Sequence, residues 1–451
     1  MRLPRSFFPF LAIVAVVLTC AQVDRDMRLW EKKERVIEWD VHGYYGYLPM
    51  VFIYDDIRLE KGNYQVGENE YLFWPEHLPD GRKVIKYTMG TAYLYAPFFF
   101  IAHWSAPWVG AAPTGFSPHY KIWLQVGGLC YLLMGLLLLR WILRRAGFSE
   151  ATVAIGLLLV GGATNLLCYS SHSSTMPHVH GFFLVTAFIA LTMRWYSSPT
   201  WGRALLLGAV FGVLTLMRPT NAMIGLFFAL YGALAFPERW RLWRAHLGQF
   251  YAAALLAALM WLPQLLYWHA TTGEFFFYSY QQEHFFFGHP HIIDGLFSFR
   301  KGWLVYTPVM AFALVGVFLL NGELARWRTA VITVLLLHVY ITFSWWCWWY
   351  GGTYGQRAMI EIYPLLAVPL CAVVERLRRA NWAWRAPAIA VGAFFIWLNI
   401  FQTYQFEEHS LHHDAMSREL YFKQFGKLKP IPDFDALLDF PDYDRARSTG
   451  Y

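Results

Sequence analysis

Four stretches of this 451-residue chain hold residue types that could do chemistry. The first is IEWDVHGYYGYLPMVF, Ile37 to Phe52, in which one acid, Asp40, lies among Trp39, Tyr44, Tyr45 and Tyr47. A carboxylate near a membrane surface and among aromatics suits a general base or a metal ligand. The neighbouring rings suit stacking on a sugar face or anchoring at a membrane interface. A helix cap flanked by anchoring tyrosines accounts for the same residues.

The second stretch begins KYTMG, where Lys86 offers a cation and Gly90 permits a close backbone approach. An amphipathic helix with a snorkelling lysine reads equally well. The third is MRPTN, Met217 to Asn221. Arg218 there is costly in apolar surroundings unless paired or wet, and its guanidinium can hold a phosphate bidentately. The fourth is WWCWWYGGTYGQRAMIEIYP, Trp345 to Pro364, where Arg357 precedes Glu361 by four residues. Helical spacing predicts an Arg357–Glu361 pair, and Arg357 is also a candidate phosphate ligand. The histidines cluster as His172, His178 and His180; as His284, His289 and His291; and as His409, His412 and His413. None falls in a zinc signature, and surface or hydrogen-bonded roles are expected of them.

The elements that must position these residues are apolar. The chain is 57% hydrophobic, 19% aromatic and 15% charged, well short of the quarter charged that soluble domains carry. About 20 apolar residues of helix cross a bilayer core of ~30 Å. Hydropathy gives about eleven spans, at 6–22, 119–142, 151–170, 177–195, 203–217, 220–236, 246–268, 304–320, 328–346, 358–375 and 385–404. With the N-terminus inside, the cytoplasmic turns hold Arg140, Arg144 and Arg145, Arg194 and Arg203, Arg239, Arg241 and Arg244, Arg326 and Arg328, and Arg376, Arg378 and Arg379. That is the positive-inside pattern. It requires that 91–109, apolar but broken by Pro97 and Pro107, lie on the outer face as an interfacial or re-entrant helix. A short charged helix is expected over 24–38.

The expected architecture is therefore an all-α polytopic bundle. A transmembrane domain covers 1–404 and includes an outer loop, 23–118, with interfacial helices. An extracytoplasmic tail covers 405–451. Plasma (inner) membrane localisation follows, with the N-terminus cytoplasmic and the C-terminus outside. The net charge of +7 reflects helix-end arginines, and no basic stripe interleaved with stacking aromatics points to nucleic acid. The cysteines, Cys20, Cys130, Cys168, Cys347 and Cys371, lie in or at apolar runs without a CxxC pair and read as packing residues. Nucleotide-binding and serine-hydrolase motifs are missing from the sequence.

The layout resembles the GT-C glycosyltransferases, among them protein O-mannosyltransferases and the bacterial enzymes that move aminoarabinose onto lipid A. The resemblance runs over about Met1 to Phe406. It is carried by the first loop, by FSPHYKIWLQVGGLCYLLMGLLLLRWILRRAGFS, by RALLLGAVFGVLTLMRPTN and by YGGTYGQRAMIEIYPLLAVPL. It implies a polyprenyl-phosphate sugar donor, and a lipid, glycan or protein acceptor, met on the outer face among membrane lipids. Asp40 matches the acid that assists the acceptor hydroxyl or binds a divalent metal. Arg357, Arg218 and Lys86 match the cations that hold the donor phosphate, and Trp39, Tyr44 and Tyr45 would shape the acceptor and sugar cavity. Mannosyltransferases carry an adjacent acidic pair, whereas Val41 follows Asp40, so Glu70, Asp55 and Asp56 are the candidates for a second acid. A transporter of lipid-linked sugar would show paired halves, and the sequence has no visible repeat; a non-catalytic scaffold is the other alternative.

Overall fold

The computed structural model of the chain describes residues 7–62, 65–67, 70–71, 75–232 and 235–451, with backbone alone at 65–67 and 70–71. Helices dominate. The first part of the chain forms α1 (Phe7–Met27), α2 (Asp40–Tyr45), α3 (Tyr47–Phe52) and α4 (Gly90–Ser105). Two small antiparallel hairpins lie between α3 and α4: β1 (Gln65–Gly67) with β2 (Glu70–Tyr71), and β3 (Glu76–His77) with β4 (Lys83–Val84). The bundle continues through α5 (Pro118–Arg145), α6 (Glu150–Gly162), α7 (Pro177–Ser197), α8 (Trp201–Met217), α9 (Gly225–Leu230), α10 (Phe236–Ala245) and α11 (Leu247–Thr272). After a long connection come α12 (Ile292–Phe297), α13 (Trp303–Tyr306), α14 (Val309–Gly316), α15 (Ala325–Phe343), α16 (Tyr363–Arg379) and α17 (Trp382–Glu407). The tail holds α18 (Arg418–Gln424) and α19 (Tyr443–Thr449).

Local chemistry sets several boundaries. Pro118 and Pro177 begin α5 and α7, where a missing N–H costs nothing. Ser149 and Thr200 accept N–H bonds from Thr152 and Arg203, capping α6 and α8. Gly273, at φ 85°, ends α11 in the left-handed region.

Among the described residues seven helices are long and apolar enough to cross a bilayer: Phe7–Glu31, Pro118–Arg145, Pro177–Ser197, Leu247–Thr272, Gly322–Phe343, Arg357–Arg379 and Trp382–Glu407. They fall where spans are expected. The expected spans at 151–170, 203–217, 220–236 and 304–320 coincide with shorter apolar helices, Glu150–Gly162, Trp201–Met217, Pro219–Leu230 and Val309–Leu319. At ~1.5 Å per residue these fall short of a ~30 Å core. Eleven apolar segments thus sit where hydropathy puts them, and seven reach the full length.

The main core gathers α5, α6, α7 and α16. Every residue of α16 from Tyr363 to Val374 is buried, as an all-round apolar helix requires. α11 presents Leu255, Leu259, Leu262 and Leu266 outward, the face a lipid-contacting helix offers. A second core joins α2, α3 and α4 through Tyr45, Tyr95 and Phe99. Here α4 is a helix of 16 residues that continues as a 3-10 turn, Ala106–Val109, and packs on α5 and α8.

One expectation is corrected. No helix runs over 24–38: α1 ends at Met27, a 3-10 turn covers Leu29–Glu31, and an irregular strap follows to Trp39. The residues 405–451 pack back on the loops beside the bundle. Thr353 N–H donates to the His413 carbonyl at 2.9 Å, and Tyr443 OH donates to Asp414 Oδ2 at 2.8 Å, so the tail packs on the loop that carries Arg357.

Candidate active site

Asp40 opens α2 immediately after the strap. The strap holds three non-glycine residues at positive φ, Arg28 at 45°, Val36 at 74° and Trp39 at 45°. Such conformations cost about 1–3 kcal/mol each and persist only where the surroundings over-determine them. Those surroundings are visible. Lys121 Nζ donates to the carbonyls of Lys32 and Lys33, both at 2.8 Å, and Thr175 Oγ1 donates to Val36 O at 2.5 Å. Glu407, at the end of α17, binds Lys32, Arg35 at 2.9 Å and His172 at 3.0 Å. The strap is thereby fixed to α5, α17 and the segment before α7, and Asp40 is delivered in one place.

Both carboxylate oxygens of Asp40 are engaged. Tyr87 OH donates to Oδ1 at 2.6 Å, and Arg357 Nη2 donates to Oδ2 at 2.9 Å. Burial pushes the carboxyl up, but the Arg357 guanidinium, the Tyr87 hydroxyl and the Arg218 charge outweigh it. They hold Asp40 below the usual carboxylate range. Tyr87 reaches Asp40 because Gly43 has no side chain: a Cβ there would lie 2.4 Å from the Tyr87 ring. Gly90 does similar work one step along. A Cβ on it would lie 2.3 Å from the Met217 backbone nitrogen, so the start of α4 is seated on the last turn of α8, beside Arg218.

Arg218 Nη1 lies 3.3 Å from Glu361 Oε1, and the same oxygen lies 3.0 Å from His178 Nδ1. The expected Arg357–Glu361 pair does not form. Residues Arg357–Ile362 are a 3-10 helix, whose three-residue turn places i and i+4 on different faces. Arg357 therefore turns to Asp40 and to the Tyr350 carbonyl at 2.9 Å, while Glu361 turns inward to Arg218. The Arg218 charge also acts on the nearby Tyr44 hydroxyl, and the Tyr44 ring packs on Tyr87 at 4.4 Å between centroids. Asp40, Tyr44, Tyr87, Arg218 and Arg357 thus form one connected cleft. It lies where α1 and α8 finish and the Arg357–Arg379 helix begins.

The remaining sequence candidates fall in different places. Lys86 pairs with Glu283 at 2.7 Å and sits 5.5 Å over the Tyr280 ring, at the rim of the cleft next to Tyr87. Trp39 is 71% exposed beside Asp40. Tyr45 is not in the cleft. It is fully buried, its hydroxyl donates to Gly115 O at 2.6 Å, and Phe99 and Phe116 pack edge-on against it. In a helix Tyr44 and Tyr45 diverge by ~100°, so only one can face Arg218. Asp56 accepts the N–H groups of Glu60 and Lys61 at 2.8 Å, and Asp55 pairs with Lys61 at 2.9 Å. Both acids build their own turn and supply no second carboxylate to Asp40. The Glu70 side chain lies outside the described residues.

Sequence reading missed Tyr87 and Tyr280, and it named His178 without its partner. Tyr87 was within reach, since it follows Lys86 directly. His178 is fully buried on Glu361, a role that no spacing rule signals.

The donor set that the described residues offer does not fit a divalent metal. Among the described residues no group of three His, Cys, Asp or Glu side chains is arranged to hold one. Asp40 also meets a cation and a hydroxyl donor instead of further carboxylates.

These features define a helical protein that carries, among the described residues, seven helices long and apolar enough to cross a bilayer. An oligosaccharyltransferase, AglB from Archaeoglobus fulgidus, solved with an inhibitory peptide and a dolichol-phosphate, has a similar fold at TM-score 0.52 and 12% identity. The match covers 95% of this chain and 61% of AglB, so this chain spans about 61% of that protein. The apo Archaeoglobus fulgidus oligosaccharyltransferase gives TM-score 0.48 at 10% identity, over 98% of this chain and 63% of its own. No protein-family model matches the sequence, and no curated protein matches it.

Proposed function

We propose that this protein transfers a sugar from a polyprenyl-phosphate donor to an acceptor on the extracytoplasmic face of the plasma membrane. The observation that carries the reading is the Asp40–Arg357 pair with Arg218 beside it. An acid held ionised next to two guanidiniums can serve a proton-losing acceptor and an anionic leaving group at once. The dolichol-phosphate in the AglB complex supports a lipid-phosphate donor, and its peptide makes a peptide one candidate acceptor beside lipid and glycan.

The acceptor hydroxyl attacks the anomeric carbon, and the bond from that carbon to the phosphate oxygen breaks with its electron pair leaving on phosphate. Asp40 takes the hydroxyl proton. Arg357 and Arg218 stabilise the charge that grows on the phosphate. Glu361 and His178 hold Arg218 in place. Lys86, paired with Glu283, reaches the donor only by exchanging that partner. Trp39, exposed next to the acid, offers a face for the sugar or acceptor, and Tyr44 orients Arg218.

Mass analysis of cell-envelope lipids, glycans and proteins, with and without the intact gene, tests the reading. A sugar mass lost on deletion and restored by the native chain supports it. Identical profiles in both strains oppose it.

A further inference from the structure

The loop 345–356 joins α15 to the 3-10 turn that opens with Arg357. Within it Tyr350 stands at φ 60° and Gly351 at φ 67°, and this reversal leaves the Tyr350 carbonyl 2.9 Å from Arg357 Nη2. A tyrosine in the left-handed region persists only where its surroundings over-determine it. Part of the restraint comes from the bundle side. The buried Gln356 amide donates to Trp348 O at 2.9 Å, and the Tyr350 hydroxyl donates to Thr342 O at 3.1 Å.

The rest comes from the tail, which holds both arms of the loop. On the first arm Trp346 and Trp349 are buried with Ala446 of α19, the Tyr443 ring packs 5.4 Å from that of Trp349, and the Arg447 guanidinium lies 5.1 Å over Trp346. On the second arm Thr353 is bound to the carbonyl of His413. Tyr443 joins the two arms. Its hydroxyl accepts from the Trp349 indole at 3.4 Å and donates to the carboxylate of Asp414, the residue after His413, at 2.8 Å. The same hydroxyl lies 3.8 Å from where a Cβ of Gly351 would stand, so it sits on the reversal itself. Asp414 is fixed in turn: Arg300 Nη1 donates to its carbonyl at 3.0 Å, and Arg300 Nη2 pairs with Asp439 at 3.0 Å. Asp442 caps α19 by accepting the Arg445 N–H at 2.9 Å.

We propose that Tyr443 is a positioning residue for the donor site. By bridging Trp349 and Asp414 it locks the Tyr350 turn, and the Tyr350 carbonyl then fixes how Arg357 presents its guanidinium to a lipid phosphate. The proposal rests on the reading of Arg357 as a donor-phosphate ligand. The contacts of Tyr443 run to Trp346, Trp349 and Asp414, so its effect reaches the cleft through the loop.

The test uses the full chain in nanodiscs, with Tyr443→Phe removing the hydroxyl and keeping the ring. Amide hydrogen exchange across 345–357 is expected to rise several-fold, and binding of undecaprenyl phosphate to weaken at least threefold. In the Arg357→Gln background Tyr443→Phe is expected to change the affinity no further, because the path ends at Arg357. Trp349→Phe, which removes the other bond to the hydroxyl, is expected to reproduce both effects. Lys423→Gln, which breaks a surface pair elsewhere in the tail, is expected to match the native chain in both. Unchanged exchange in Tyr443→Phe, or an equal loss of affinity with and without Arg357, overturns the proposal. Equal affinity of the native chain and Arg357→Gln overturns the donor reading and the proposal with it; raised exchange in Tyr443→Phe then marks the phosphate site, and not the loop, as the part that failed.

Discussion

Asp40 Oδ2 and Arg357 Nη2 lie 2.9 Å apart although 317 residues separate them in the chain. One belongs to the strap after the first helix, the other to the 3-10 turn that opens the Arg357–Arg379 helix. A contact between such distant segments needs the whole bundle as its frame.

Arg357 serves Asp40 and the Tyr350 carbonyl through Nη2, while Nη1 meets only the Met176 sulfur at 3.9 Å, a weak acceptor that a phosphate oxygen would outcompete. Lysine cannot reproduce that two-armed fork. Arg357→Lys is expected to weaken binding of polyprenyl phosphate at least tenfold in a vesicle-binding assay while the protein inserts normally. Unchanged affinity would remove Arg357 from the donor site.

Gly43 gives the Tyr87 ring its place. Gly43→Ala is expected to push Tyr87 away from Asp40 and to cut transfer at least tenfold, with Tyr87→Phe in the native background giving a similar loss. The two variants combined should cost no more than one alone, because both remove the same hydrogen bond. Additive losses would show that Gly43 acts elsewhere.

Glu407 gathers Lys32, Arg35 and His172 under the strap. Glu407→Gln leaves the half-buried Arg35 and the buried His172 without their carboxylate and is expected to destabilise the protein by about 1–3 kcal/mol. Thermal unfolding in detergent measures this. A melting temperature equal to that of the native protein would mean that the strap is held by Lys121 and Thr175 alone.

Lys301 is buried beneath the Arg357 loop and donates to the Thr353 carbonyl. Burial pulls its ammonium down from the ordinary 10.5 to about 7, against the attraction of Asp414. Between those two values the folded chain binds fewer protons at this site than the unfolded chain, so stability rises with pH across that window. The contribution is present above pH ~10.5 and is lost as pH falls towards 7. Lys301→Met is expected to flatten the slope between pH 7 and 9 in denaturation experiments. An unaltered slope would place the titration at another group.

Much of this arrangement was legible in the sequence, for definable reasons. The apolar segments announced themselves because lipid demands long unbroken helices. Arg218 and Arg357 stood out because charges at helix ends in so apolar a chain are costly without a use, whereas Asp40, which a helix cap explains equally well, stood out only through the family resemblance. The partners were not legible. Glu361 pairs with Arg218 and not with its helical neighbour because the local helix is 3-10, a difference that spacing does not encode. Tyr44 and Tyr45 look alike in sequence, yet one faces Arg218 and the other a packed aromatic core. The strap over 28–39 reads as a charged helix because its strain is imposed from outside, by Lys121, Thr175 and Glu407.

The central claim is that Asp40 accepts the acceptor proton beside a clamped phosphate. Asn at position 40 keeps the shape and still accepts a bond from Arg357, but it takes no proton. The most direct measurement is sugar transfer by the Asp40→Asn protein in cells lacking the native copy, read from envelope mass profiles alongside membrane insertion. The account predicts transfer reduced by ~10²–10⁴-fold with normal insertion and thermal stability. Transfer at the native rate in that variant would contradict it.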